Sequence, residues 1–192
     1  MNKFIIILLA FIAFTACDQK TETTTVQPVE TPPSAPVEQA PAEVPPTAVV
    51  NESAPAYMNV GLKGFKVPDT NLSSTMGEVV FINFWGSWCG PCRMEMPSIQ
   101  ALYDNYGDKV KFVTIAVERR PGAHIEYINS NGFTFPVYEA TDPIETDLKP
   151  KGFPTTLILN KKGEIVVKDV GAADWNAKSV HEILDRLLAE PA

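Results

Sequence analysis

Hydrophobic positions along the chain fall into three regimes. From Phe4 to Phe14 they are nearly continuous, "FIIILLAFIAF"; from Asp18 to about Ala56 they lose periodicity in "TETTTVQPVETPPSAPVEQAPAEVPPTAVV"; from about Tyr57 onward they return in ordered patterns. Within the third regime Val79 to Trp85, "VVFINFW", is short, β-branched and aromatic, which predicts a strand buried on both faces. "RMEMPSIQALYDNY" follows, with Met96, Ile99, Leu102, Tyr103 and Tyr106 spaced to share a helical face. Pro97 inside that helix is expected to kink it, because it removes a backbone donor and crowds the preceding turn. "VKFVTIAV", Val110 to Val117, predicts a second strand, "GAHIEYINSNG" a helix ended by Asn131-Gly132, and "FPVYEA" a short extended segment. "TTLILN" and "EIVVKDV" flank the turn residues "KKG" as a hairpin. "SVHEILDRLLA" begins at an N-cap and sets Val180, Ile183, Leu184, Leu187 and Leu188 on one face of a last helix. Strand, helix, strand, helix, then hairpin and helix is the order of an α/β sandwich with a mixed central sheet.

The first two regimes stand apart from that fold. Lys3, the apolar run and the small residues Thr15 and Ala16 form the charged, apolar and cleavage regions of an export signal over residues 1–17. The run is short of the ~20 apolar residues that a spanning helix needs. "FTAC" resembles the lipobox of bacterial lipoproteins, whose cysteine is acylated and becomes the first residue; here that is Cys17, with Phe14 where the family usually carries an aliphatic residue. Lipidation would also remove a thiol otherwise left over beside a cysteine pair. Residues 18–56 cannot bury enough surface to offset their ordering entropy, so a Pro/Thr/Glu tether is expected, self-repelling through Glu22, Glu30, Glu38, Glu43 and Glu52. Residues 57–192 are then the folded domain. A net charge of -7 argues against nucleic acid, which asks for clustered Lys and Arg.

The chemistry centres on Cys89-Gly90-Pro91-Cys92, placed between the first strand and the first helix. Such a pair binds metal, is structural, or exchanges electrons with other thiols. Structural zinc needs four ligands, and the chain adds only His124 and His181, in predicted helices with polar neighbours and no second cysteine pair. At a helix N-terminus the unpaired backbone donors and the macrodipole favour a thiolate, lowering a thiol pKa from ~8.5 to about 7. Cys89 is then the attacking thiol and Cys92, one turn further in, the shielded resolving one.

"FWGSWCGPCRMEMP" resembles the active-site segment of thioredoxins, and more closely that of the membrane-tethered, exported thioredoxin-like reductases of the ResA, CcmG and TlpA kind. The likeness runs from about Gly61 to Leu188 and includes "GFPTTLILNKKGEIV", similar to the family's cis-proline loop, strand and hairpin. It implies a thioredoxin-like fold, a mixed sheet flanked by helices, with Pro154 as the cis-proline and Phe153 offering its backbone to a substrate chain. Trp88, Gly90, Pro91 and Phe153 would form the docking surface, with Trp85 in the core. Where thioredoxins carry a buried Asp that moves protons at the deeper cysteine, this chain has Asn83; Glu95 matches the acidic residue of the tethered reductases and is expected to take over. Arg93 either steadies the Cys89 thiolate or sits in solvent. Glu118, Arg119 and Arg120 either frame a substrate groove or form a charged turn, the turn being favoured, and the acidic stretch Asp142 to Asp147 reads as solvated surface in preference to a feature that tunes partner choice.

The resemblance further implies an extracytoplasmic, membrane-anchored lipoprotein on the periplasmic side, working as a protein-disulfide reductase with no cofactor beyond the Cys89–Cys92 disulfide. Gly90-Pro91 matches thioredoxin, and no His lies between the cysteines as in the strong oxidants, from which thioredoxin differs by ~150 mV. Electrons would come from a membrane thiol carrier of the CcdA or DsbD type. Disulfides of exported proteins, apocytochrome c among them, would be the substrates. The rival functions are a disulfide oxidase or isomerase and a Cu(I)-binding metallochaperone-like module.

Overall fold

The computed structural model describes residues 54–144 and 147–191. The expected export signal, Cys17 and nearly all of the tether lie outside the described residues, as does Glu145 of the acidic stretch.

A seven-stranded sheet is built from β1 (Gly61–Phe65), β2 (Thr70–Asn71), β3 (Val79–Trp85), β4 (Val110–Ala116), β5 (Val137–Ala140), β6 (Thr155–Leu159) and β7 (Ile165–Val170). Their order across the sheet is β2-β1-β5-β4-β3-β6-β7. Among the described residues the α-helices are α1 (Gly90–Tyr106), α2 (Ala123–Asn131) and α3 (Lys178–Ala189). β3 is parallel to β4 and antiparallel to β6, which places Asn83 opposite both Thr114 and Thr156. Every residue of β3 is buried, in keeping with its unbroken apolar run.

The pleat of β3 divides the core into two clusters. Val79, Phe81 and Trp85 join Met96, Ile99 and Leu102 of α1, Leu184 and Leu187 of α3, and both cysteines of the pair. Val80, Ile82 and Phe84 join Met58, Val60, Leu62, Leu72 and Leu148. The strand that leads into the CxxC is thus clamped from both sides, and the disulfide belongs to one of the two cores.

The predicted strands and helices are present, with informative differences. The antiparallel pair β1–β2 was not expected; it is short, and Gly64 stands where a side chain would collide with the Val67 carbonyl oxygen. α1 runs through Pro97 without a break, and α2 ends at Gly132 in the left-handed conformation, φ 70°. α3 begins earlier than its Ser suggests. Its N-cap is Ala177, with no side-chain cap, because the turn Asp174–Ala177, closed by a 3.2 Å bond from Ala177 N to Asp174 O, starts the helix at Lys178, one residue before Ser179. His124 lies in a helix with a polar neighbour, as expected, its Nδ1 3.6 Å from Glu139 Oε1, but it is buried and packs edge-on against Phe65 at 6.1 Å. Among the described residues no helix is long and apolar enough to cross a membrane.

Candidate active site

Strand β3 ends at Trp85, and four residues later the chain turns into α1 with Cys89 as its N-cap. Cys89 N donates to Gly86 O (3.0 Å), and the Cys89 sulfur accepts from Cys92 N at 3.2 Å. The sulfur therefore takes the place of the oxygen that usually caps a helix, facing donors left free by the first turn. Pro91 falls in that turn, where its missing N–H costs nothing. Cys89 and Cys92 are joined as a disulfide with Cα atoms 5.3 Å apart. Cys92 is fully buried and Cys89 only 5% exposed, so the outer sulfur is the one that an incoming group can reach.

The surface around Cys89 is assembled from three loops. The Phe153–Pro154 bond is cis, and Pro154 is followed directly by β6. Phe153 meets the Trp88 ring edge to face at 5.4 Å. Trp88 Nε1 donates to Val117 O (2.9 Å) across Gly86, where an added Cβ would lie 2.5 Å from that nitrogen. Glycine at 86 is thus required for the indole to reach its partner. Trp88 is 37% exposed, and the Arg119 guanidinium lies 4.0 Å from its ring centroid. Glu118 accepts from Ser87 N (2.7 Å) and Ser87 Oγ (2.9 Å), tying the loop after β4 to the loop before Cys89. In the stretch Glu118–Arg120, for which the sequence favours a charged turn over a groove rim, Glu118 and Arg119 frame the site, and Arg120 pairs with Glu126 at 2.7 Å. Arg93 is exposed, and its backbone N donates to Cys89 O (3.1 Å).

Behind the disulfide sits a buried polar group. Glu95 lies one turn beyond Cys92 on α1 and is only 2% exposed, so it is not a solvated helix residue. Its Oε1 accepts from Asn83 Nδ2 (2.8 Å), and its Oε2 from Trp175 Nε1 (2.9 Å) and Ala173 N (3.3 Å). Burial pushes its pKa up, helped slightly by Asp169, while the three donors pull it down. Asn83 also donates to Thr156 Oγ1 (2.8 Å), and its Oδ1 is buried without a partner. Trp85 is wholly buried, as a core residue.

Sequence reasoning singled out Cys89, Cys92, Glu95, Trp88, Phe153 and Pro154, and the fold gathers these residues at the sheet end where α1 begins. It missed Trp175 and Thr156. Trp175 lies in the loop before α3, far from the CxxC in sequence, and only the tertiary fold brings its indole to Glu95. No group of three or more metal-ligating side chains occurs among the described residues.

The family model described as Redoxin matches residues 50–186, most of the chain and all of this site. The chain belongs to the Redoxin family. It is 31% identical over 137 residues to the thioredoxin-like protein YneN of Bacillus subtilis, covering 70% of this chain and 78% of that one. It is 32% identical over 126 residues to the thiol-disulfide oxidoreductase ResA of Bacillus thuringiensis, covering 64% and 70%. The solved structure of StoA from Bacillus subtilis superposes with a TM-score of 0.57 at 27% identity, covering 71% of this chain and all of that one. The fold is thioredoxin-like, and the Redoxin match together with the similarity to ResA makes this chain, with its Cys89–Cys92 pair at the head of α1, a thiol-disulfide oxidoreductase.

Proposed function

We propose that the protein is a membrane-tethered, extracytoplasmic reductase of disulfides in exported proteins, apocytochrome c among them. The observation that carries the chemistry is the helix N-cap position of Cys89 above a fully buried Cys92. In the reduced protein the Cys89 thiolate attacks one sulfur of a substrate disulfide. A mixed disulfide forms on Cys89, and the substrate's other sulfur leaves as a thiolate. Cys92 then loses its proton and attacks Cys89 Sγ, releasing the second substrate thiolate. The substrate gains two electrons and the protein returns to the disulfide form. Glu95, behind Cys92, is suited to take the proton from that thiol, because a buried carboxyl with a raised pKa changes charge nearer neutrality than an exposed one. The backbone beside cis-Pro154 and the Trp88–Phe153 surface would hold the substrate chain in extended form.

Gly90-Pro91 between the cysteines, with no intervening His, supports the reducing direction. In an oxidising compartment such a protein needs a dithiol donor, for which a membrane thiol carrier of the CcdA or DsbD type fits. The export signal, the lipid on Cys17 and the tether belong to the same proposal. The test is the Cys89/Cys92 equilibrium, read by thiol-trapping mass shift across a graded dithiol buffer with Cys89→Ser as control. A potential near that of thioredoxin, about -270 mV, is expected. A value near about -120 mV would reassign the protein to disulfide formation.

A further inference from the structure

We infer that the rim of the active site selects substrate disulfides flanked by carboxylate side chains, with Arg119 as the specificity-determining residue. This deepens the thiol-disulfide reading above and rests on it. Arg119 is held at the docking surface by its stacking 4.0 Å over Trp88, the same indole that meets Phe153 beside cis-Pro154. Among the described residues no carboxylate lies within ion-pair distance of Arg119, so its cation stands at the docking surface without a neutralising partner. Glu118 keeps its charge but turns both oxygens onto Ser87, outside ion-pair distance of Arg119, and Arg120 is paired with Glu126. Val117, 38% exposed, adds apolar surface beside Trp88. A substrate segment laid along this surface therefore meets aromatic faces plus one unpaired cation, Arg119. The chemistry that complements it is an extended chain carrying Asp or Glu next to its cysteine. The net charge of -7 on the whole chain works against acidic partners at long range, so the preference belongs to the rim and not to the overall field.

The experiment compares three substrates of the reduced full-length protein at physiological ionic strength, where a screening length of about 8 Å confines the comparison to the rim. Two are peptides with one internal disulfide, identical except for flanking Glu or flanking Lys; the third is the neutral 2-hydroxyethyl disulfide. The acidic peptide should be reduced about fivefold faster than the basic one, the scale of an exposed ion pair. Arg119→Lys should keep the ratio above one, and Arg119→Glu should bring it below one. Any general loss from repacking of Trp88 divides out of that ratio. Equal rates for the two peptides in the wild type, with the neutral disulfide still reduced, would overturn this inference alone. A ratio unmoved by Arg119→Glu would also overturn it. Failure to reduce any of the three would overturn the oxidoreductase reading beneath it.

Discussion

Glu95 shows what a single buried carboxyl does to the pH response of this protein. Its folded pKa is raised, chiefly by burial, above that in the unfolded chain. Between those two values the folded protein holds a proton that the unfolded chain has released. Stability therefore falls as pH rises through that window and levels off above the folded value. Urea midpoints taken at closely spaced pH should show this decline in the wild type, and Glu95→Gln should flatten it. A variant with the same slope as wild type would mean that Glu95 does not titrate in this window. The position of Glu95 was legible in the sequence, one turn past Cys92. Its three donors were not, because Trp175 and Ala173 approach from a loop some eighty residues away and carry no local pattern.

At the scale of elements the legible parts were those whose periodicity and burial agree. β3 was readable to its boundaries because all seven of its residues are buried, and α1 because its apolar face recurs at helical spacing. β1 and β2 escaped notice because "GLKGF" carries two glycines and β2 has only two residues; their strand character comes from pairing with each other and of β1 with β5. The start of α3 was misplaced because its first turn is set by the preceding loop and not by a capping side chain. That loop is fastened to α1 through Trp175 Nε1 and Ala173 N on Glu95, and through Trp175 N on Ser98 Oγ at 3.1 Å. Trp175→Phe keeps an aromatic ring beside Phe81, where the indole now lies 5.4 Å away, and removes the indole bond to Glu95 while leaving the backbone bonds of Ala173 and Trp175. It should cost about 1–3 kcal/mol in denaturant unfolding, the penalty for a buried polar group deprived of a partner. Because the Trp175 bond lowers the Glu95 pKa, the same substitution should move the Glu95 window to higher pH. Unchanged stability together with an unmoved window would show that the indole N–H is not a significant partner.

For the whole molecule, the apolar stretch, Cys17 and the tether were read from the sequence alone and lie outside the described residues, so their test is biochemical. Cys17→Ala, expressed with the full chain, should lose the mass of the acyl groups and leave the membrane fraction or remain uncleaved. Unchanged partitioning and unchanged processing would remove the lipoprotein proposal. Within the described residues both sulfurs of the active pair are packed into one hydrophobic core with Trp85 and Met96. Folding and electron transfer are therefore two legs of one thermodynamic square. The amount by which closing the disulfide changes the folding free energy must equal the difference in reduction free energy between the folded protein and its unfolded chain. With two electrons, about 30 mV corresponds to about 1.4 kcal/mol, so a pair of melts, one oxidised and one reduced, works as a potentiometer. If the reduced form is the harder one to unfold, the fold itself pulls electrons in; if the oxidised form is, the fold pushes them out toward a substrate.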